Sequence, residues 1–372
     1  MSDVAVDLRT RERLIAAMTG TMATADRARE PHLPAGQVLV RAPGLEFASG
    51  DRRRRFHAAS VGKAMTATRA YQLAETGRLD LDAPVTGLLP RADLRGLFVR
   101  SGLDHAGEVT PAQLLTHTSG VADYFEGRAA GAPRFAQLLR AEPDRTWTPT
   151  DLLAYSREHQ HPVAAPGRRF SYSDTGFVLL GRIIEEVGEA PLGQQLHEGV
   201  FGPAGMSDSC LMFHTVPGGG ASTSADPAAQ LDIAPLWLGR HEFSRARSLS
   251  CDWGGGGVVT TLDDLVRFTS AWSTGALVGE ESRARMGAAT HRFRPGIRYG
   301  SGLMRLHYDG FSPFLRGMPQ PVGHLGVTAA HAFAVPELGI HISMNFHSTR
   351  EMIRSFRVQI TLLRRLLRTI RG

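Results

Sequence analysis

Lysine is almost absent from this chain. Of 42 basic side chains one is a lysine, Lys63, and the other 41 are arginine. Cysteine is nearly as scarce: Cys210 and Cys251 make no disulfide framework and have no metal-type spacing, so both read as small core residues. The 15 histidines include no His-Glu-x-x-His pattern, and His159 with His161 alone is not a ligand set. Neither a metal nor a cofactor is expected. No apolar run reaches the roughly 18 residues that a membrane-spanning helix needs. The 41 glycines and 21 prolines are dispersed, which leaves no low-complexity segment.

The 372 residues, 42% hydrophobic, can bury a large core. The formal charge is +6, but the basic residues are spread along the chain. Only Arg52-Arg53-Arg54-Arg55 and the C-terminal tail are dense, which argues against nucleic-acid binding as the main role. Arg9, Arg11 and Arg13 precede an uncharged stretch, Leu14 to Ala25, that faintly resembles a secretion signal. Its threonines and few strong apolars fit an amphipathic helix with Leu8, Ile15, Met18 and Met22 on one face, and a cytoplasmic protein is expected.

The one lysine follows Ser60 at i+3. Arginine stays protonated at any ordinary pH, whereas a buried lysine can lose its proton and act as a base. Ser60-Val61-Gly62-Lys63 therefore reads as an activated nucleophile of the Ser-x-x-Lys kind. The helical pattern from Ala58 to Glu75 puts Ser60 near a helix start, where free amides favour developing negative charge, with Lys63 one turn on.

Gly36–Arg41 and Leu45–Ser49 read as a hairpin. Helices are expected near 150–158, 175–186 and 262–272, and strands at 299–307, 327–335 and 340–345. Residues 214–250 read as a long loop near the site. A final helix carries Met352, Ile353, Phe356, Ile360, Leu363, Leu367 and Ile370 as its apolar stripe, with arginines mostly opposite. Residues 1–75 and 255–372 are expected to form a sheet-and-helix layer and residues 76–254 a helical lobe, with the cleft at their junction.

Several motifs then fall in order: Ser60-x-x-Lys63, Leu79-Asp-Leu-Asp-Ala-Pro84, Leu114-Leu-Thr-His-Thr-Ser-Gly120, Pro166-Gly-Arg-Arg-Phe-Ser-Tyr172, Phe201-Gly-Pro-Ala-Gly-Met206, a glycine run before Thr260-Thr261-x-x-Asp264-Leu265, and Gly323-His-Leu-Gly326. This ordered set resembles the penicillin-recognising serine hydrolases, in the branch holding class C β-lactamases, D-aminopeptidases, carboxylesterases and lovastatin-type acyltransferases. The resemblance implies an α+β, β-lactamase/transpeptidase-like fold, with an antiparallel sheet flanked by helices plus an all-helical lobe. It implies that Ser60 attacks a carbonyl to form an acyl-enzyme, with Lys63 as base and Tyr172 as proton carrier. Asp174 and His324 take the remaining catalytic positions, the amides of Ser60 and Val327 form the oxyanion hole, and Leu325 and Gly326 border the substrate. The Leu114–Gly120 segment, with His117, becomes a structural turn.

Two positions depart from the pattern. Asp174 replaces an asparagine. Ionised, it favours the Lys63 ammonium and opposes the base role, or it holds that ammonium so that Tyr172 works as tyrosinate. Leu325 replaces a Thr or Ser whose hydroxyl helps grip a substrate carboxylate, so penicillins and cell-wall peptides fit poorly and an acyl ester, thioester or hydrophobic amide fits better. The expected activity is hydrolysis of an ester or amide of a small or natural-product substrate. The alternatives are transfer of the acyl group to an alcohol or amine, and a non-catalytic binding or sensor protein.

Overall fold

The computed structural model describes residues 8–220 and 232–371. Its centre is an eight-stranded antiparallel sheet. We number these strands in chain order: β1 (Gln37–Ala42), β2 (Leu45–Ser49), β3 (His291–Arg294), β4 (Ile297–Tyr299), β5 (Met304–Leu306), β6 (Val322–Gly326), β7 (Ala330–Val335) and β8 (Ile340–Asn345). The order across the sheet is β3-β4-β5-β6-β7-β8-β1-β2, so strands from both ends of the chain meet where β1 pairs with β8.

The helices that matter for the site are α1 (Leu8–Arg27), α2 (Gly62–Glu75), α3 (Pro149–His159), α4 (Asp174–Gly188), α5 (Leu262–Thr274) and α6 (Met352–Arg371). Helices α1 and α6 share one apolar cluster with alternate residues of the strands, including Val38, Val40, Phe333 and Ile342. A second cluster lies on the other face, where Leu39, Ala330 and Ala332 meet α2, α4 and α5. This two-sided burial explains why β7 and β8 are buried along their whole length instead of alternating. The second cluster continues without a break through α3 and the short helices between residues 79 and 206.

The expected strand at 299–307 is two strands, β4 and β5, because Gly300 and Gly302 turn the chain between them and Gly302 adopts a left-handed φ of 76°. The expected strand at 327–335 begins only at Ala330, and Gly323-His-Leu-Gly326 before it is itself part of strand β6. In α1 the buried residues are Leu14, Met18, Met22 and Ala25, while Leu8 is exposed. In α6, Ile353 is exposed. Two polar residues, Ser355 and Gln359, are fully buried because they hydrogen-bond the ring of His331 in β7. Part of the expected 214–250 loop, residues 221–231, lies outside the described residues. The rest of it carries a small hairpin (Trp237–Leu238 with His241–Glu242) and the turn Arg247–Asp252. Among the described residues no helix is long and apolar enough to cross a membrane.

Candidate active site

Strand Phe56–His57 pairs with Val258–Thr260, and one 3₁₀ turn, Ala59–Val61, leads directly into α2. Within that turn Ala59 has a φ of 48°, a left-handed conformation that typically costs a non-glycine residue about 1–3 kcal/mol. Two backbone bonds hold it: the Ala59 amide donates to His57 Nδ1 at 3.2 Å, and the Ala58 amide to Val258 O at 2.8 Å. The half-buried Ser60 stands next to this fixed kink, and Lys63 is fully buried one helical turn later.

The glycine run has a local cause. A Cβ on Gly62 would lie 3.1 Å from Gly256 Cα, and one on Gly256 would lie 2.9 Å from Ala59 C, so only glycines let the Trp253–Gly256 turn touch the serine turn. Thr66 Oγ1 donates to Gly254 O at 2.9 Å and fastens the two together. The next carbonyl, that of Gly255, then accepts from Lys63 Nζ at 2.5 Å.

Ser173 caps α4 by accepting from the Gly176 amide, which puts Asp174 in the first turn. The Asp174 carboxylate meets Lys63 Nζ in a short ion pair, and Lys63 Nζ also lies 3.1 Å from Ser60 Oγ. Lys63 thus has three neighbours: a carboxylate, a carbonyl and the serine hydroxyl. Two further carboxyls surround this pair. The Asp174 amide donates to Asp123 Oδ1 at 3.0 Å, and burial, then the charge of Asp174, pushes Asp123 up to about 7. The same two causes push Asp252 up to about 7. Burial thus drives both carboxyls beside the Asp174–Lys63 pair toward the protonated acid.

Tyr172 closes the other side. Its hydroxyl faces the Ser60 side chain, and Lys63 Nζ lies 5.0 Å from its ring centre. Burial, and secondarily Asp174, pushes this hydroxyl well above the ordinary tyrosine range. That opposes the tyrosinate expected as one alternative. His117 supports the ring: its Nδ1 accepts from the Ser173 amide at 3.1 Å, and its centroid is 4.3 Å from that of Tyr172. The segment expected to be purely structural thus forms the floor under a candidate catalytic side chain.

His324 lies deeper than a group in contact with Ser60. One ring nitrogen takes the Leu325 amide at 2.9 Å and the other lies 3.3 Å from the Tyr299 hydroxyl. Burial, then Lys63, pulls it down to about 3, so the ring is neutral. Gly326 ends β6 against the serine turn: a Cβ there would lie 2.5 Å from Ala58 O. The amide of the next residue, Val327, has no acceptor among the described residues. Leu325 pairs across the sheet with His331 and belongs to the apolar cluster shared with α1 and α6. It is 8% exposed, which leaves little of it for a substrate. Apolar surface near Tyr172 comes instead from Phe293, 5.2 Å from its ring, and from Phe170. A cavity of about 760 Å³ opens against Tyr172 and Ser171, bounded by residues 122–130 and 159–163.

Asp123, Asp252, Tyr299 and Gly255 were not legible as site residues in the sequence. Among them only the glycine run carried a signal. Among the described residues no three His, Cys, Asp or Glu side chains converge as a metal site.

Ser60, the buried Lys63 and Tyr172 thus come together where the serine turn, α2 and the start of α4 meet. Residues 32–360 match the Beta-lactamase family, and the chain belongs to it. Its fold is β-lactamase/transpeptidase-like. Penicillin-binding protein 4 of Amycolatopsis lactamdurans is 28% identical over 260 residues, covering 64% of this chain and 59% of that protein. Monacolin J acid methylbutanoyltransferase of Aspergillus terreus is 29% identical over 178 residues, 43% of this chain and 38% of that protein. The match thus spans no more than about six tenths of these relatives. Among solved structures, D-amino acid amidase from Ochrobactrum anthropi SV3 superposes with a TM-score of 0.75 at 20% identity, covering 96% of this chain and 99% of that one. EstCE1, described as a hydrolase with promiscuous acyltransferase activity, gives 0.72 at 20% identity over 96% and 98%.

Proposed function

We propose that this chain is a serine hydrolase that works through an acyl-Ser60 intermediate on an ester or amide of a small or natural-product substrate. The observation that carries this reading is the 3.1 Å approach of the fully buried Lys63 Nζ to Ser60 Oγ. As a neutral amine, Lys63 has two N–H groups for Asp174 and Gly255 O, and its lone pair then faces the serine hydroxyl.

The serine proton passes to Lys63 as Oγ bonds to the substrate carbonyl carbon, and the carbonyl electron pair moves onto oxygen. Amides of Ser60 and Val327 hold that oxyanion, a contribution typically worth about 3–4 kcal/mol. Asp174 stabilises the ammonium formed in this step, as a carboxylate does for a histidine base. Tyr172, kept protonated, hands a proton to the departing alkoxide or amine and recovers one from Lys63. Water then attacks the acyl ester, its proton returns through the same two groups, and the carboxylic acid leaves. His324 and Tyr299 act as positioning residues behind Tyr172, and Gly326 sets the spacing of strand β6 to the serine turn.

A second reading is acyl transfer, in which an alcohol or amine replaces water. The rings of Phe170, Tyr172 and Phe293 favour it by lining the cleft with apolar surface that limits water. A purely binding role is disfavoured by the intact Ser60, Lys63 and Tyr172.

Intact-mass spectrometry after brief exposure to activated short-chain esters and thioesters tests the reading. A transient acyl adduct is expected in the wild type and not in Ser60→Ala. An adduct of equal yield in Ser60→Ala would overturn the assignment. Added alcohols or amines that speed loss of the adduct and appear acylated would favour transfer over hydrolysis.

A further inference from the structure

The α6 face has no part in the site described above, yet its chemistry is one-sided. This 20-residue helix carries six arginines and no acidic residue. A merely solvated helix face ordinarily mixes both signs. Arg354 is spoken for: it binds Glu351 and donates to Ala28 O at 2.6 Å, tying α6 to the end of α1. Arg357, Arg364 and Arg368 are exposed and have no carboxylate partner among the described residues. Spaced at four, seven and four residues, Ile353, Arg357, Arg364 and Arg368 lie on one stripe of the helix. Ile353 is 69% exposed at one end of that stripe. Toward the other end Thr361, Arg364, Arg365 and Arg368 border a recess of about 180 Å³.

Beside the first turns of α6 lies a second apolar element. Phe311 packs on Phe356 at 5.2 Å and is 37% exposed, and the loop that follows it projects Phe314 at 94% exposure. Arg316, two residues on, is exposed as well. Phe311 and Phe314 add exposed apolar surface beside the arginine-bearing helix. One face thus combines protruding apolar groups with unpaired guanidiniums and a recess ringed by three of them.

We propose that this face docks peripherally on an anionic lipid bilayer. Phe314 and Ile353 enter the boundary between headgroups and acyl chains, while Arg357, Arg364 and Arg368 bind lipid phosphates and carboxylates. A nucleic acid would satisfy the arginines alone and leave Ile353 and Phe314 in water, which is why the bilayer is the partner this surface fits.

Co-sedimentation of the full chain with vesicles tests the proposal. Vesicles of phosphatidylcholine alone are compared with vesicles that also contain phosphatidylserine. Binding is expected only to the mixed vesicles and to weaken as salt is raised. A triple variant, Arg357→Gln with Arg364→Gln and Arg368→Gln, is expected to bind about a hundredfold more weakly. Phe314→Ser is expected to bind about tenfold more weakly. These exposed positions leave the fold intact, and circular dichroism and thermal unfolding check that. Equal binding to neutral vesicles, no binding to either, or full binding by both variants would overturn the proposal. So would tighter binding of duplex DNA than of the mixed vesicles, with the same arginines required.

Discussion

The carbonyl of Gly255 accepts a hydrogen bond from Lys63 Nζ at 2.5 Å, and it comes this close only because residue 255 has no side chain. A Cβ there would lie 2.9 Å from Asp174 Oδ1 and 3.5 Å from Lys63 Nζ. Gly255→Ala must therefore displace the Asp174 carboxylate from its partner. We expect a folded protein whose kcat falls by at least about tenfold, since an ångström of misplacement in such a site is costly. Steady-state kinetics beside thermal unfolding checks this; unchanged kcat would mean that the contact is not used.

Lys63→Arg puts a guanidinium, which stays protonated at ordinary pH, where the proposed step needs a base. Turnover is expected to fall at least about a thousandfold, on the scale seen when members of a catalytic unit are deleted. Single-turnover measurement of Ser60 acylation is the decisive readout. Near-normal acylation would transfer the base role away from residue 63.

Asp174→Asn removes the carboxylate that favours the Lys63 ammonium, and also a charge that helps push up Tyr172, Asp123 and Asp252. The pH–rate profile is expected to move to lower pH, because Tyr172, Asp123 and Asp252 each lose a charge that raises them. A profile that does not move would show that Asp174 is uncoupled from the base.

Stability should depend on pH through buried histidines. Burial pulls His57, His331, His341 and His347 down to about 4 and His324 to about 3, from an ordinary 6.5. Their folded-state values are depressed, so the unfolded chain binds more protons between pH 6.5 and 4. The stability they contribute is present above pH 6.5 and is lost as pH falls toward 4. Asp123 and Asp252, raised to about 7, and Asp264, also raised, pull the other way, but the five histidines outnumber them. Tm is expected to fall on acidification across this window, and His331→Gln to flatten the fall. A Tm that rises on acidification would refute the balance.

Much of the site was readable because it is local. Ser60 and Lys63 are one helical turn apart, and Tyr172 and Asp174 flank a capped helix start. What was less legible is which groups meet: Lys63 reaches Asp174 over 111 residues and Gly255 over 192. Asp123 and Asp252 carried no pattern that separates a site carboxylate from a surface one. Leu325 was misleading because sequence does not say which face of a fully buried strand a residue takes.

By itself, the sequence determined the hairpin, the principal helices, the placing of Ser60 one turn before Lys63, and the glycines that mark close approach. These follow from spacing, capping and backbone freedom, which act over a few residues. Tertiary structure alone decided how α6 turns on the sheet. Ser355 and Gln359 face inward because His331 requires hydrogen-bond partners there, and Ile353 is left outside. It also decided the environment of Asp123 and Asp252, because burial and the charge of Asp174, brought in from a distant segment, push both carboxyls up.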